Sequence, residues 1–177
     1  PVSTPRWSAD GASILALVSD DAQRYIASFD PTTGKMSRVA GGDRVFVSLE
    51  KHPGGGWLTS MTDPALPAEY FALENGGLRR LTYVQDSTFR QISLAKVRKI
   101  VSRSKDGTQV TNLLYLPESQ EAGKLPTIFF IHGGPVAQDE FSFDLSRQML
   151  AARGYAVVAV NYRGSTGRGL AFCKAIY

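Results

Sequence analysis

Ile128-Phe129-Phe130-Ile131-His132-Gly133-Gly134-Pro135 decides the reading of this chain: an uninterrupted apolar run stops at a histidine, two glycines and a proline. Downstream a second apolar run, Tyr155 to Val160, stops at Asn161-Tyr162-Arg163-Gly164-Ser165. Short apolar runs bounded by turn residues read as buried strands. Thr127–Ile131 and Ala156–Val160 are therefore predicted as strands of a sheet covered on both faces. Strands that end in glycine-rich loops bring backbone N–H groups to the rim of a sheet. Between the two runs, Ser142–Arg153 carries Phe143, Leu145, Met149, Leu150 and Ala152 near helical spacing, and Gly154 follows as a stop signal. Upstream, Gln91–Ser102 reads as a connection and first strand, Lys105-Asp106-Gly107-Thr108 as a hairpin turn, Val110–Leu116 as a strand halted by Pro117, and Glu118–Lys124 as a polar loop. Hairpin, strand, helix, strand is the opening of an α/β sheet with a right-handed crossover.

The first half has a different texture. Turn signals recur at Ala9-Asp10-Gly11, Pro31-Thr32-Thr33-Gly34, Gly41-Gly42-Asp43, Pro53-Gly54-Gly55-Gly56 and Asn75-Gly76-Gly77. The runs between them predict strands near Ser13–Val18, Tyr25–Phe29, Met36–Ala40, Val45–Leu49, Trp57–Met61, Glu69–Leu73 and Leu78–Thr82, with no window of helical period. A faint repeat links Tyr25-Ile26-Ala27-Ser28-Phe29-Asp30…Gly34-Lys35-Met36-Ser37-Arg38-Val39 to Glu69-Tyr70-Phe71-Ala72-Leu73-Glu74…Gly76-Gly77-Leu78-Arg79-Arg80-Leu81. Its offset of about 42 residues suits four-stranded propeller blades, which stack because one blade cannot bury its own faces. An unrelated β-meander is the competing reading. The fold class expected is mixed: C-terminal blades of a β-propeller over residues 1–90, about two of them, then the N-terminal part of an α/β domain over residues 91–177.

Composition is that of a globular chain, with 43% hydrophobic and 20% charged residues among 177. No run approaches the length that spans a bilayer. Neither end carries a cap, tail or stop signal, so the expectation is an internal piece of a longer protein. The single cysteine, Cys173, reads as a small apolar helix residue. Net charge is −1 over residues 1–90 and +5 over residues 91–177, with basic residues gathered at Lys96, Arg98, Lys99, Arg103 and Lys105. No recognition motif accompanies them, so no nucleic-acid partner is expected.

Of the motifs, His132-Gly133-Gly134-Pro135 carries the most chemistry. Acyl transfer passes through an oxyanion, and a site must aim N–H donors at it. Glycine permits the close approach; Pro135 has no N–H, so donation falls to the residues before it. His132, Gly133 and Gly134 are the candidate oxyanion loop, with His132 orienting the loop by hydrogen bonds. Plain glycine turn geometry is the bland alternative. Asn161–Gly169 would form a second backbone-rich loop at the same rim, with Tyr162 and Arg163 as loop supports and Arg163 clamping loop carbonyls. Ser165 is not read as a nucleophile, because Arg163-Gly164-Ser165-Thr166-Gly167 lacks the first glycine of a G-x-S-x-G elbow. His52 reads as a solvent-facing loop residue. No phosphate loop and no metal-ligand spacing is present, so neither cofactor nor metal is expected.

Three ordered stretches resemble the prolyl oligopeptidase family of serine peptidases, in particular its acylaminoacyl-peptidase-like and dipeptidyl-peptidase-like branches. They are Leu125-Pro126-Thr127-Ile128…His132-Gly133-Gly134-Pro135, then Gln148…Leu150-Ala151-Ala152-Arg153-Gly154-Tyr155-Ala156-Val157, then Asn161-Tyr162-Arg163-Gly164-Ser165-Thr166-Gly167. The resemblance implies a β-propeller gating an α/β-hydrolase domain, and hydrolysis of oligopeptides by a Ser–Asp–His triad through an acyl-enzyme. In that fold an HGG-type loop after the third strand supplies half of the oxyanion hole, and the triad runs Ser, Asp, His in chain order. His132 precedes any such nucleophile and so is not the expected general base; none of the triad is expected within these residues, and the 177 residues alone are expected to be inactive. Arg168 stands where the family often has tyrosine. An esterase or other acyl hydrolase on the same fold, and a non-catalytic propeller binding protein, remain alternatives.

Overall fold

The computed structural model describes residues 1–74, 77–89, 91–118 and 124–176. The turn at Asn75-Gly76, the middle of the Glu118–Lys124 loop and Tyr177 lie outside them. Among the described residues thirteen strands form two sheets, one of nine strands and one of four.

The nine-stranded sheet is two antiparallel meanders joined at one point. β1 (Val2–Trp7), β2 (Ile14–Asp20), β3 (Gln23–Phe29) and β4 (Met36–Ala40) pair in sequence order. β5 (Val45–Phe46) and β6 (Glu50–Lys51) both pair with β7 (Trp57–Asp63), which pairs with β8 (Leu66–Glu74), which pairs with β9 (Gly77–Arg80). A single parallel contact, Arg24 beside Val45, connects the meanders. The two halves of the sequence repeat fall on the hairpins β3–β4 and β8–β9. Turn chemistry explains the first hairpin: the Asp30 carboxylate accepts from Thr32 N at 2.8 Å and Thr33 N at 2.9 Å, and Gly34 takes φ +70°. Leu15, Leu17, Ile26, Phe46, Leu49, Met61, Phe71 and Leu73 pack into the core.

The strand expected over Val45–Leu49 is split. Ser48 lends its side-chain oxygen to Ser60 N at 2.9 Å and its carbonyl to the Thr59 hydroxyl at 2.7 Å, so side chains replace ladder bonds between β5 and β6. β1 escaped the pattern because Pro5 supplies no N–H and the register shifts between Ser3 and Arg6, which breaks the alternation.

A one-turn helix, α1 (Asp86–Phe89), leads into the second sheet: β10 (Lys96–Arg103), β11 (Gln109–Leu116), β12 (Thr127–Ile131), α2 (Leu145–Ala152), β13 (Ala156–Asn161) and α3 (Gly169–Lys174). The strand order is β10-β11-β13-β12, with β12 and β13 parallel. The β10–β11 turn is the hairpin expected at Lys105–Thr108: Ser104 N donates to Thr108 O at 2.9 Å and Asp106 accepts from Thr108 N at 3.0 Å.

Two expectations about this sheet are corrected. Among the described residues β12 is an edge strand with one open face, where Phe129 is 65% and Ile131 69% exposed, so these residues do not supply the cover expected on that side. β10, the opposite edge, carries Lys96, Arg98, Lys99 and Arg103. On α2 the buried residues are Arg147, Gln148 and Ala151, whereas the apolar Leu145 and Met149 face out. Polar partners fix that rotation. Arg147 pairs with Asp139 and Asp144, while Gln148 accepts from Ala95 N at 2.7 Å and donates to Pro64 O at 2.9 Å. The helix begins three residues later than the periodicity suggests because the Asp144 carboxylate caps Arg147 N at 3.0 Å.

Candidate functional site

The parallel strands β12 and β13 end side by side, and the loops that leave them, residues 132–138 and 162–168, meet at that rim. Ligands of α/β sheets gather outside the carboxyl ends of such strands. Each loop holds the other. The Tyr162 hydroxyl donates to His132 O at 2.6 Å, and the two rings stack at 4.7 Å between centroids. Thr166 N donates to Ala137 O at 2.8 Å. His132 Nε2 lies 2.9 Å from Ser165 Oγ, and its Nδ1 lies 3.0 Å from Gly133 O. A carbonyl can only accept, so Nδ1 carries the ring proton and Nε2 accepts from the Ser165 hydroxyl. Ser165 is fully buried and its proton is committed to the imidazole.

At the apex Gly134 takes φ +134°, and a Cβ there would sit 2.9 Å from Val136 N. Gly133 is exposed with nothing within 4 Å of where its Cβ would be. Among the described residues, neither Gly133 N nor Gly134 N has a hydrogen-bond acceptor. The arrangement is a rigid, open turn with two free donors, suited to receiving an anionic or polarised oxygen.

Of the residues singled out from sequence, His132, Gly133, Gly134 and Tyr162 come together here. Among the described residues Arg163 does not clamp loop carbonyls: its guanidinium pairs with Asp106 in the β10–β11 turn, where a carboxylate is the stronger acceptor. Asp106 is held below the usual carboxylate range, first by Thr108 N and then by Arg163. Arg168 donates to Gln109 O at 2.6 Å and stacks over Phe172. His52 sits in an exposed turn and accepts from Gly54 N at 3.1 Å. Ser165 as the imidazole's partner was not foreseen. Nor was Asn161, whose amide brackets the backbone of Asp139, accepting from its N–H at 2.6 Å and donating to its carbonyl at 2.9 Å. Among the described residues no three His, Cys, Asp or Glu side chains are placed to hold a metal ion, and no helix is long and apolar enough to cross a membrane.

Comparison with known proteins bears on this geometry. Residues 141–177 match the prolyl oligopeptidase family. The chain is 34% identical over 122 residues to the "Uncharacterized peptidase YuxL" of Bacillus subtilis (strain 168), covering 68% of this chain and 19% of that protein. It is 43% identical over 79 residues to dipeptidyl aminopeptidase BIII of Pseudoxanthomonas mexicana, covering 41% of this chain and 12% of that protein. The matches thus span well under two thirds of these relatives' length. Among solved structures, Pyrococcus horikoshii acylaminoacyl peptidase superposes with a TM-score of 0.82 at 23% identity, over 97% of this chain and 26% of that one. An acylaminoacyl peptidase in complex with Z-Gly-Gly-Phe-chloromethyl ketone superposes with a TM-score of 0.83, also at 23% identity, over 97% of this chain and 26% of that one. The chain therefore shares its fold with part of these peptidases.

Proposed function

Because this chain carries the sequence of the prolyl oligopeptidase family, we propose that it forms the junction of a serine peptidase: two closing blades of a β-propeller in residues 1–90 and the opening of an α/β-hydrolase domain in residues 91–177. The two meanders are the blades, and β10–β13 with α2 and α3 are the start of the hydrolase sheet. The reading is supported by the match of residues 141–177 and by peptidases among the relatives.

The observation that carries the chemistry is the pair of unaccepted N–H groups at Gly133 and Gly134, on a loop braced by His132, Tyr162 and Ser165. In this reading a serine supplied by residues beyond these 177 attacks the carbonyl of a peptide bond. Negative charge collects on the carbonyl oxygen, and the loop's N–H groups hold it while the tetrahedral intermediate forms and collapses; the C–N bond breaks, the amine departs with the proton the serine gave up, and the acyl-enzyme remains. His132 takes no proton in this scheme. Its Nε2 is occupied by Ser165, and its task is to fix the loop through both ring nitrogens. No cofactor enters the reaction.

A full-length protein carrying this chain should react stoichiometrically with a fluorophosphonate and hydrolyse peptide anilides, while the 177 residues alone should not be labelled. Hydrolysis of p-nitrophenyl esters without peptide anilides would replace the peptidase reading by an esterase one. Absence of both activities and of labelling would leave a propeller binding protein.

A further inference from the structure

The tip of the β2–β3 hairpin is built against its own conformational preference. Its two loop residues, Asp21 and Ala22, take φ +44° and +70°. Two-residue hairpin loops of this hand favour Asn-Gly, because a Cβ in the left-handed region is unfavourable. Such strain persists where surroundings over-determine it, and it is a pointer to a role.

The surroundings are the second sheet and both site loops. Ala22 is fully buried among Leu113, Tyr115, Phe141, Val157 and Ala159. Its carbonyl accepts from Phe141 N at 2.8 Å and its N–H donates to Gln138 Oε1 at 3.3 Å. Asp21 N donates to Gly167 O at 2.9 Å. The Asp21 carboxylate accepts from the Thr111 hydroxyl at 2.5 Å and pairs with Lys99 at 2.9 Å. Just behind the tip, Arg24 pairs with Glu140 at 3.0 Å, and Glu140 accepts from Gln138 Nε2 at 2.9 Å. The hairpin therefore grips residue 138, where the loop from β12 ends, and residue 167, near the end of the loop from β13. Thr166 N to Ala137 O then bonds the two gripped segments to each other.

We infer that Asp21 and Ala22 are positioning residues: the β2–β3 hairpin tip sets the placement of the Gly133–Gly134 donors by holding both loops from outside their own sheet. The inference deepens the peptidase reading and rests on it for its kinetic consequence. It makes the reactivity of the site depend on how the nine-stranded sheet is seated on the four-stranded one. A side chain at Gly167 would act as a wedge at the same point, since its Cβ would lie 2.9 Å from Asp21 N.

The test uses the full-length protein with Asp21→Ala and the conservative Asp21→Asn, which keeps an acceptor for Thr111 and tolerates the left-handed backbone. Hydrogen exchange is read over residues 132–138, 163–168 and, as a control, 57–74. Asp21→Ala should accelerate exchange at least about tenfold in both loops and leave the control unchanged, lower kcat about tenfold and hold KM within about twofold, with Asp21→Asn restoring most of both. Unchanged loop exchange, acceleration that includes residues 57–74, or loop acceleration with unaltered kcat in an active enzyme would each overturn the inference. If the loops loosen as expected but the unsubstituted protein hydrolyses neither peptides nor esters, the positioning stands and the peptidase reading fails.

Discussion

Ser165 Oγ lies 2.9 Å from His132 Nε2, yet Ser165 is fully buried. A serine–histidine pair at this distance invites a reading as nucleophile and base. The surroundings argue otherwise. The imidazole is flat against Tyr162, its other nitrogen is turned to the adjacent Gly133 carbonyl, and the hydroxyl has no solvent-exposed surface among the described residues. Ser165→Ala in the full-length protein should therefore retain stoichiometric fluorophosphonate labelling, with kcat lowered by about tenfold or less as the loop loses a brace. Complete loss of labelling in a folded variant would make Ser165 the nucleophile and undo the assignment.

Gly134 cannot take a side chain without moving backbone. Its φ of +134° is unfavourable for any L-residue, and the added Cβ would press on Val136 N at 2.9 Å. Gly134→Ala should lower kcat by about a hundredfold or more while KM changes by a small factor, the pattern of a donor that acts on the transition state. Equal changes in kcat and KM would assign the loop to substrate binding instead.

Acid should loosen the seating of the two sheets. Burial pushes the Asp21 carboxyl up, but the Thr111 hydroxyl and the Lys99 ammonium outweigh it, with help from Arg168, and hold it below its ordinary value. A carboxyl with a lowered folded pKa stabilises the folded state above its unfolded pKa, and that contribution is lost as pH falls through the folded value. Urea midpoints measured from pH 6 down to about pH 3 should fall more steeply for the unsubstituted chain than for Asp21→Asn. Parallel slopes would remove Asp21 from the account.

Gln148 ties α2 to the connection and to the nine-stranded sheet through Ala95 N, Ala95 O and Pro64 O. Gln148→Leu keeps the bulk and the helix propensity but leaves buried backbone groups of Ala95 without partners. It should destabilise the chain by about 1–3 kcal/mol in chemical denaturation, although leucine is the more apolar residue. A gain in stability would show that the apolar periodicity of α2, and not its polar contacts, sets its orientation.

Local chemistry made much of this legible. The hairpin turn at Lys105–Thr108, the strand Met36–Ala40 and the strand Thr127–Ile131 follow from turn residues and short apolar runs. The contact between His132 and the loop after β13 also had a signal, since both loops had to leave parallel neighbours at one rim. What escaped depends on side chains replacing backbone: Ser48 interrupting a ladder, Gln148 and Arg147 turning a helix, Asn161 bracketing Asp139. Periodicity weighs hydrophobicity and is blind to such bonds. Arg163 was misplaced because its partner, Asp106, sits in a distant hairpin that only the antiparallel register of β10, β11 and β13 brings near. Asp21-Ala22 gave no warning at all, since nothing in two ordinary residues announces a left-handed turn that distant hydrogen bonds and packing sustain.

The two rims of the four-stranded sheet give the isolated chain an asymmetric valence. Strand edges offer unpaired N–H and C=O groups to any passing strand, and charged side chains are a common defence. β10 has that defence in Lys96, Arg98, Lys99 and Arg103; β12, with Phe129 and Ile131 on its open face, has none. Two copies that pair edge to edge through β12 about a two-fold axis use up both copies of that surface. Concentrating the isolated chain should accordingly yield dimers through β12, and Phe129→Lys should return it to monomers.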